Sequence, residues 1–71
     1  MSVVAENTRR IIRERGMRQK DAADRANIPE KLFSSMMCGR KVIREADVLS
    51  IARALDVTPN ELFGITENPP G

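Results

Sequence analysis

Apolar residues recur along this chain at the three- and four-residue spacing of amphipathic helices. No stretch alternates polar and apolar residues for long enough to predict a strand. The spacing predicts an all-α fold of five helices: residues 4–15, 19–26, 29 or 30 to 37, 45–55, and a short fifth helix that opens on TPNE. We expect one compact domain over residues 1–64. A short tail, 65–71, follows, because its paired prolines cannot continue a helix.

The ends of the first and fifth helices carry recognisable start and stop residues. Gly16 and Gly64 are expected to end these helices in the left-handed conformation. At the start of the fifth helix, Thr58 is the expected capping residue and Pro59 takes the first helical position. Glu61 is placed to complete a capping box with Thr58.

The inner face of each predicted helix supplies the predicted core. The second helix is rich in alanine, and such small side chains let another helix approach closely. The predicted core residues are Val4, Thr8, Ile11, Ile12, Met17, Ala22, Ala23, Ala26, Phe33, Met36, Met37, Val48, Leu49, Ile51, Ala52, Leu55, Leu62 and Phe63.

The outer face of the third helix is polar and built mainly from short side chains. Lys31, Ser34, Ser35 and Cys38 point away from the predicted core, and Glu30 at the helix tip can also reach outward. Glu30 can accept a hydrogen bond from a cytosine amino group, and Lys31 can donate to guanine O6 and N7. Such a face suits a helix that enters a DNA groove, although an ordinary amphipathic helix with a solvated surface would show the same pattern.

The composition excludes several classes of function. A chain of 71 residues has room for one domain, and it contains one Cys and no His. A disulfide framework, most zinc sites, and Ser-His or Cys-His catalysis are therefore excluded, and we expect neither an enzyme nor a cofactor. A single thiol without a signal peptide indicates a reducing cytosol. No apolar run reaches the roughly 18 residues that a membrane span needs.

Positive charge is concentrated at the front of the chain. The first 20 residues carry six Arg or Lys against two Glu, a balance of +4. Residues 21–40 are balanced, and residues 41–71 carry three cations against five carboxylates, so the total is +2. A basic front and an acidic back suggest a face for polyanions, and a solvated charged helix would give much the same count.

Together, these elements resemble the Xre/Cro/phage-repressor class of helix-turn-helix proteins. A short second helix, a tight turn, an outward-facing third helix and the basic loop GRK are typical of this arrangement. The resemblance extends from residue 7 to residue 64, through NTRRIIRERGMRQKDAADRANIP, LFSSMMCGRK and DVLSIARALDVTPNELFG. The ordered set that carries it is Gly16-Met17, Gln19, Ala23, Ala26, Gly39, Ile51-Ala52, Leu55 and Leu62-Phe63.

The resemblance implies a role for eight residues. The positions that usually touch base edges are Glu30, Lys31, Ser34 and Ser35. The positions implied to contact phosphate are Arg18 and Gln19 at the start of the second helix, and Arg40 and Lys41 in the loop after the third. Phosphate contacts set position and salt dependence, and base contacts set sequence preference.

The sequence departs from the family pattern at several positions. Ile12 and Met37 stand where the family commonly pairs an Arg with a Glu, and packed apolar groups can replace such a pair without loss of stability. Asn27 replaces the usual turn Gly, and Asn tolerates the left-handed conformation. Pro29 gives up the side-chain cap of a Ser or Thr, and Cys38 replaces a polar residue that often contacts phosphate.

The resemblance implies a transcriptional regulator that binds double-stranded operator DNA in the cytoplasm of a bacterial cell or phage-infected host. We expect a homodimer, formed in solution or only on DNA, with Val57, Leu62, Phe63 and Ile65 available at its surface. The chain stops soon after the predicted fold, which predicts no sensor or oligomerisation domain and favours a Cro-like repressor, a phage immunity repressor or a small restriction-modification controller. An antitoxin that also holds a toxin is the main rival, and a phage helper or architectural protein is a third hypothesis.

Overall fold

The structure is a computed structural model that describes residues 2–65. Within this range the chain forms five α-helices: α1 (Val3–Glu14), α2 (Gln19–Ala26), α3 (Glu30–Met37), α4 (Glu45–Leu55) and α5 (Pro59–Phe63). The predicted all-α fold is confirmed, and the predicted bounds of α2 and α4 are reproduced. Most of the predicted tail, residues 66–71, lies outside the described residues.

Alanines line the buried face of α2, the helix with the most extensive contact to another helix. The most extensive contact between two helices joins α2 to α4, and α1 packs against α5, α3 and α4. Ala22, Ala23 and Ala26 are all buried on the inner face of α2, as predicted. Because their side chains are small, the backbone of α2 can lie close to α4 and hold α3 against the same core.

Most of the predicted core is buried, Met17 is partly buried against it, and two of the predicted residues are exposed. The buried set also includes Ala5 and Ile28, which the sequence pattern did not indicate. Ile12 and Met37 are both buried, so the apolar replacement of the family's ion pair is a core substitution.

The prediction that Leu49 and Phe63 are core residues is wrong, because each is 48% exposed. The buried stripe of α4 consists of Val48, Ile51, Ala52 and Leu55. That spacing of three, four and seven residues leaves Leu49 beside the stripe. Helix α5 has only five residues, and Leu62 is its buried residue.

The burial of Leu62 also corrects the predicted dimer surface. Leu62 is completely buried within the protomer, so it cannot contact a second chain. Phe63 and Ile65 are exposed, and Val57 is half-buried against the core.

Side chains cap the starts of α1 and α5. The Ala5 amide donates to Ser2 Oγ at 3.0 Å, so α1 begins one residue earlier than the pattern predicted. At α5, the Glu61 amide donates to Thr58 Oγ1 at 3.2 Å and the Thr58 amide donates to Glu61 Oε2 at 2.7 Å. The predicted capping box is therefore confirmed, with Pro59 in the first turn.

All five helices end in the same way. Each is followed by one residue in the left-handed conformation, and these are Gly16, Asn27, Gly39, Asp56 and Gly64. They are the only residues with positive φ in the range that the structure describes. The predicted left-handed ends at Gly16 and Gly64, and the predicted tolerance of Asn27, are confirmed.

Two side-chain hydrogen bonds tie distant parts of the chain together. Asn7 Nδ2 donates to the Leu62 carbonyl at 2.8 Å, and Arg15 Nη1 donates to the Leu55 carbonyl. They join α1 to the ends of α5 and α4. None of the helices within residues 2–65 is both long and apolar enough to cross a membrane.

Candidate nucleic-acid interface

The turn between α2 and α3 sets the angle at which α3 leaves the core. Asn27 adopts φ 62° and ψ 34°, and the Ile28 amide donates to the Ala23 carbonyl at 3.0 Å. Ile28 is buried in the core and anchors the turn to it. Pro29, at φ −55°, precedes the first helical residue of α3 and provides no side-chain cap. This helix–turn–helix unit presents one side of α3 to solvent.

Helix α3 divides cleanly into a buried and an outer side. Phe33, Met36 and Met37 are buried, as predicted from the spacing. On the outer side Glu30 and Lys31 are exposed, and Ser34 and Ser35 are partly exposed. Cys38, the residue after the helix, is also exposed, with a free thiol.

A shallow depression on the outer side brings most of the predicted site residues together. We call it the polar depression, and it is lined by Gln19, Lys20, Glu30, Lys31, Ser34, Ser35 and Arg40. Six of the eight predicted residues are in this set. Within residues 2–65 none of the lining side chains forms a hydrogen bond or ion pair with the rest of the protein. Their polar groups are therefore available to a ligand.

Arg18 and Lys41 do not line the depression. Arg18 is exposed at the N-cap position of α2, directly before Gln19. Lys41 is exposed in the loop after α3 and lines a different groove. The structure thus places these two predicted phosphate contacts at the margins of the site.

The position of Arg40 follows from the way α3 ends. Gly39 adopts φ 82°, and its amide donates to the Met36 carbonyl at 3.2 Å. The Arg40 amide then donates to the Ser35 carbonyl at 2.8 Å, completing the double hydrogen bond of a Schellman motif. The Lys41 amide also donates to Ser35, at 3.2 Å. The basic loop is therefore fastened to the outer end of α3.

Lys20 is a residue of the depression that the sequence did not indicate as a site residue. Its charge contributes to the basic front of the chain, but its neighbours in space come from α3 and from the following loop. With Lys31 and Arg40 it gives the depression three cations, against the single carboxylate of Glu30. The excess of positive charge suits a polyanion. Only the packing of α3 against α2 brings these charges together, so sequence spacing could not identify Lys20.

The two helices that form this site begin without side-chain caps. Neither Arg18 before α2 nor Pro29 before α3 accepts a capping hydrogen bond, in contrast to Ser2 and Thr58 before α1 and α5. The first backbone amides of α2, from Gln19 onward, therefore have no side-chain acceptor at the N-cap position.

No group of three or more potential metal ligands lies together among residues 2–65.

The comparison with known families agrees with this geometry. A family model described as a helix-turn-helix domain matches residues 8–62, most of the chain, including α2, the turn and α3. The chain therefore belongs to this helix-turn-helix family. Membership indicates a DNA-binding regulator, and such domains are typically not enzymes. Searches of curated proteins and of solved structures found no match.

Proposed function

We propose that this protein is a sequence-specific transcriptional regulator of the Xre/Cro/phage-repressor type, which places α3 in the major groove of an operator. The polar depression is the observation that carries this proposal. Its unpartnered donors and acceptors lie on a helix whose outer side chains are mostly short. A helix of this shape can approach base edges closely.

The residues of the depression divide into two roles. Glu30, Lys31, Ser34 and Ser35 lie on α3 and contact base edges, because that helix is the element that enters the groove. Lys31 donates to guanine, and Glu30 accepts from cytosine. Because the Glu30 carboxylate would repel a phosphate, it favours a base contact over a backbone contact.

The cationic residues around α3 contact phosphate. Arg18, Gln19, Arg40 and Lys41 retain the roles that the family resemblance implies, and Lys20 joins them because of its place in the depression. Phosphate contacts of this kind give affinity that falls with salt, and they do not distinguish sequences.

The regulator acts in the cytoplasm of a bacterial cell or a phage-infected host, as a homodimer on two half-sites. Half-sites separated by one helical turn, about 34 Å, are typical of dimeric helix-turn-helix proteins. The two-fold symmetry of such a dimer would be mirrored in a palindromic operator.

Substitution of Arg40 tests this assignment. We expect Arg40→Ala to weaken binding to all DNA sequences alike and to reduce the slope of log K against log salt by about 0.9. Arg53→Ala is the matched control, because Arg53 is exposed on α4 and does not line the depression. If Arg40→Ala reduced affinity for one operator and spared other sequences, Arg40 would contact bases. An unchanged affinity would remove Arg40 from the interface.

An antitoxin-type module that binds both a toxin and its own operator is the second candidate. An apolar groove with exposed Val3, Val42, Leu49 and Phe63 side chains favours it, since clustered apolar side chains suit a contact with another protein. Both candidates require DNA binding through α3, and they differ in what occupies the groove.

A further inference from the structure

Exposed apolar side chains collect on one side of the molecule, in a groove that buried core residues also line. Within residues 2–65 there are five exposed large hydrophobic residues, and four of them line a single groove of about 900 Å³. We call it the apolar groove. It lies between the start of α1, the loop after α3, α4 and α5. The four are Val3, Val42, Leu49 and Phe63.

These side chains leave about half or more of their surface in water. Val42 is 76% exposed, Val3 is 51% exposed, and Leu49 turns away from the buried stripe of its own helix. Scattered apolar residues on a surface need no explanation, but a cluster of them within one groove marks a contact site. Covering the groove would remove this apolar surface from water.

The charges at the rim of the groove suit a second copy of the same chain. Arg40 and Lys41 lie on the loop that borders it, and Glu45 lies at the start of α4. Across a two-fold axis the same surface of both protomers meets, so a residue on one side of the axis contacts a residue from the other side. Such a surface must therefore complement itself. A rim that carries both signs can do so.

The C-terminal segment does not supply a comparable apolar occupant. Residues 66–71 read TENPPG and contain no Val, Ile, Leu, Met or Phe. A partner surface that presents its own exposed valine, leucine and phenylalanine is a better match. The groove itself is such a surface.

The groove also adjoins the proposed DNA-binding surface. Arg40 lines both the apolar groove and the polar depression, so a chain seated in the groove lies next to α3. Two copies joined there would place their two polar depressions side by side, one for each half-site of an operator.

We infer that the apolar groove is the contact between two copies of this chain, related by a two-fold axis. The inference rests on the proposed function, since it gives the DNA-bound dimer its interface. It replaces the surface expected from the sequence, of which only Phe63 lines the groove.

The test compares Leu49→Lys with Ile65→Lys. Both side chains are about half exposed, but Ile65 is outside the groove and belonged to the surface expected from the sequence. Affinity for a selected palindrome and for its isolated half-site is measured by fluorescence anisotropy, and self-association by sedimentation. Circular dichroism and the half-site affinity show whether each variant is folded.

We expect Leu49→Lys to lower affinity for the palindrome by about tenfold, as loss of one central apolar anchor does. Its half-site affinity stays unchanged, because Leu49 does not line the polar depression. We expect Ile65→Lys to behave as the unsubstituted protein in every measurement.

Two results would overturn the inference while leaving DNA binding intact. In the first, Leu49→Lys keeps the full affinity for the palindrome, so the groove is not the interface and a different protein becomes its expected occupant. In the second, Ile65→Lys loses palindrome affinity as strongly as Leu49→Lys, so the loss is not specific to the groove. Failure of the proposed function can be distinguished from failure of this inference, because no palindrome is then selected. In that case sedimentation alone tests whether the groove joins two copies. Self-association that Leu49→Lys abolishes supports the groove, and its absence at all concentrations overturns the inference.

Discussion

The polar depression and the apolar groove lie on either side of one loop and are built in opposite ways. The depression gathers charged and hydroxyl side chains that form no hydrogen bond or ion pair within the described residues. The groove gathers aliphatic and aromatic side chains that the core leaves exposed. Arg40 lines both. Stability of the protomer explains neither surface, which is why we assign each to a partner: DNA to the first and a second protomer to the second.

This contrast depends on how firmly α3 is anchored. Its inner side is buried, and its end is fixed by the hydrogen bonds around Gly39. One short helix therefore has a fixed outer face and also fixes the loop that borders the groove. Disturbing α3 should affect both surfaces, whereas changes at residues that line only one surface should leave the other intact.

Phe33→Ala should have the largest effect and remove both surfaces together. Phe33 is completely buried at the centre of the inner side of α3. Truncating a buried phenylalanine costs about 3–5 kcal/mol, a large share of the stability of a domain this small. Urea unfolding followed by circular dichroism measures the loss. A cost under about 1 kcal/mol would mean that Phe33 is not the anchor of α3.

Lys31→Ala should change only the depression, and only its preference among sequences. If Lys31 contacts a guanine, its loss should reduce discrimination at one base pair by about 1–3 kcal/mol. Lys20→Ala is the matched control from the same depression, and it should weaken all sequences alike, because Lys20 is assigned to phosphate. Competition binding with single-base variants of the selected operator measures both. Unchanged discrimination in Lys31→Ala would contradict the placement of the outer face of α3.

Gly39→Ala should reduce stability and also weaken DNA binding. Its φ of 82° lies in the left-handed region, which costs a residue with a Cβ about 1–2 kcal/mol. Gly16→Ala is a matched control, since Gly16 ends α1 at φ 65° and neither position has atoms within 4 Å of an added Cβ. Both variants should melt earlier, and only Gly39→Ala should also lose DNA affinity, because Gly39 positions Arg40. Equal DNA affinity for the two folded variants would contradict that role.

Thr8→Val should have the smallest effect and leave both surfaces unchanged. Thr8 is completely buried, and its Oγ1 has no hydrogen-bond partner among the described residues. Removing an unsatisfied buried hydroxyl should stabilise the fold by about 1 kcal/mol, which corresponds to roughly 4–8 °C in Tm for a domain of this size. Calorimetry measures the change, and Thr8→Ser is expected to destabilise by loss of the methyl group. A lower Tm for Thr8→Val would mean that the hydroxyl has a partner.

Local signals explain what the sequence predicted correctly. The bounds of α2 and α4, the capping box at Thr58 and the left-handed residue Asn27 all depend on neighbours within about four positions. Such features are encoded by the side chains that form them. The outward position of Glu30, Lys31, Ser34 and Ser35 on α3 was predicted in the same way, and their contact with bases stays a prediction.

Features that depend on packing between helices were not predictable. Leu49 follows a buried valine in α4 and looks like a core residue until the position of α4 against α2 is known. Phe63 follows Leu62 in a helix of one turn, and the sequence does not say which of the two faces the core. Lys20 enters the site only because α3 lies across from it. In each case the missing information was the relative placement of two helices.

Selection from a random DNA library, carried out with the purified protein at two salt concentrations, tests the central claim most directly. We predict an enriched palindrome whose half-sites are centred about 34 Å apart, with an enriched sequence that is the same at both salt concentrations and an affinity that falls as salt rises. No enriched sequence, together with binding that salt abolishes, would contradict sequence-specific recognition by α3 and leave only nonspecific contact between basic side chains and phosphate.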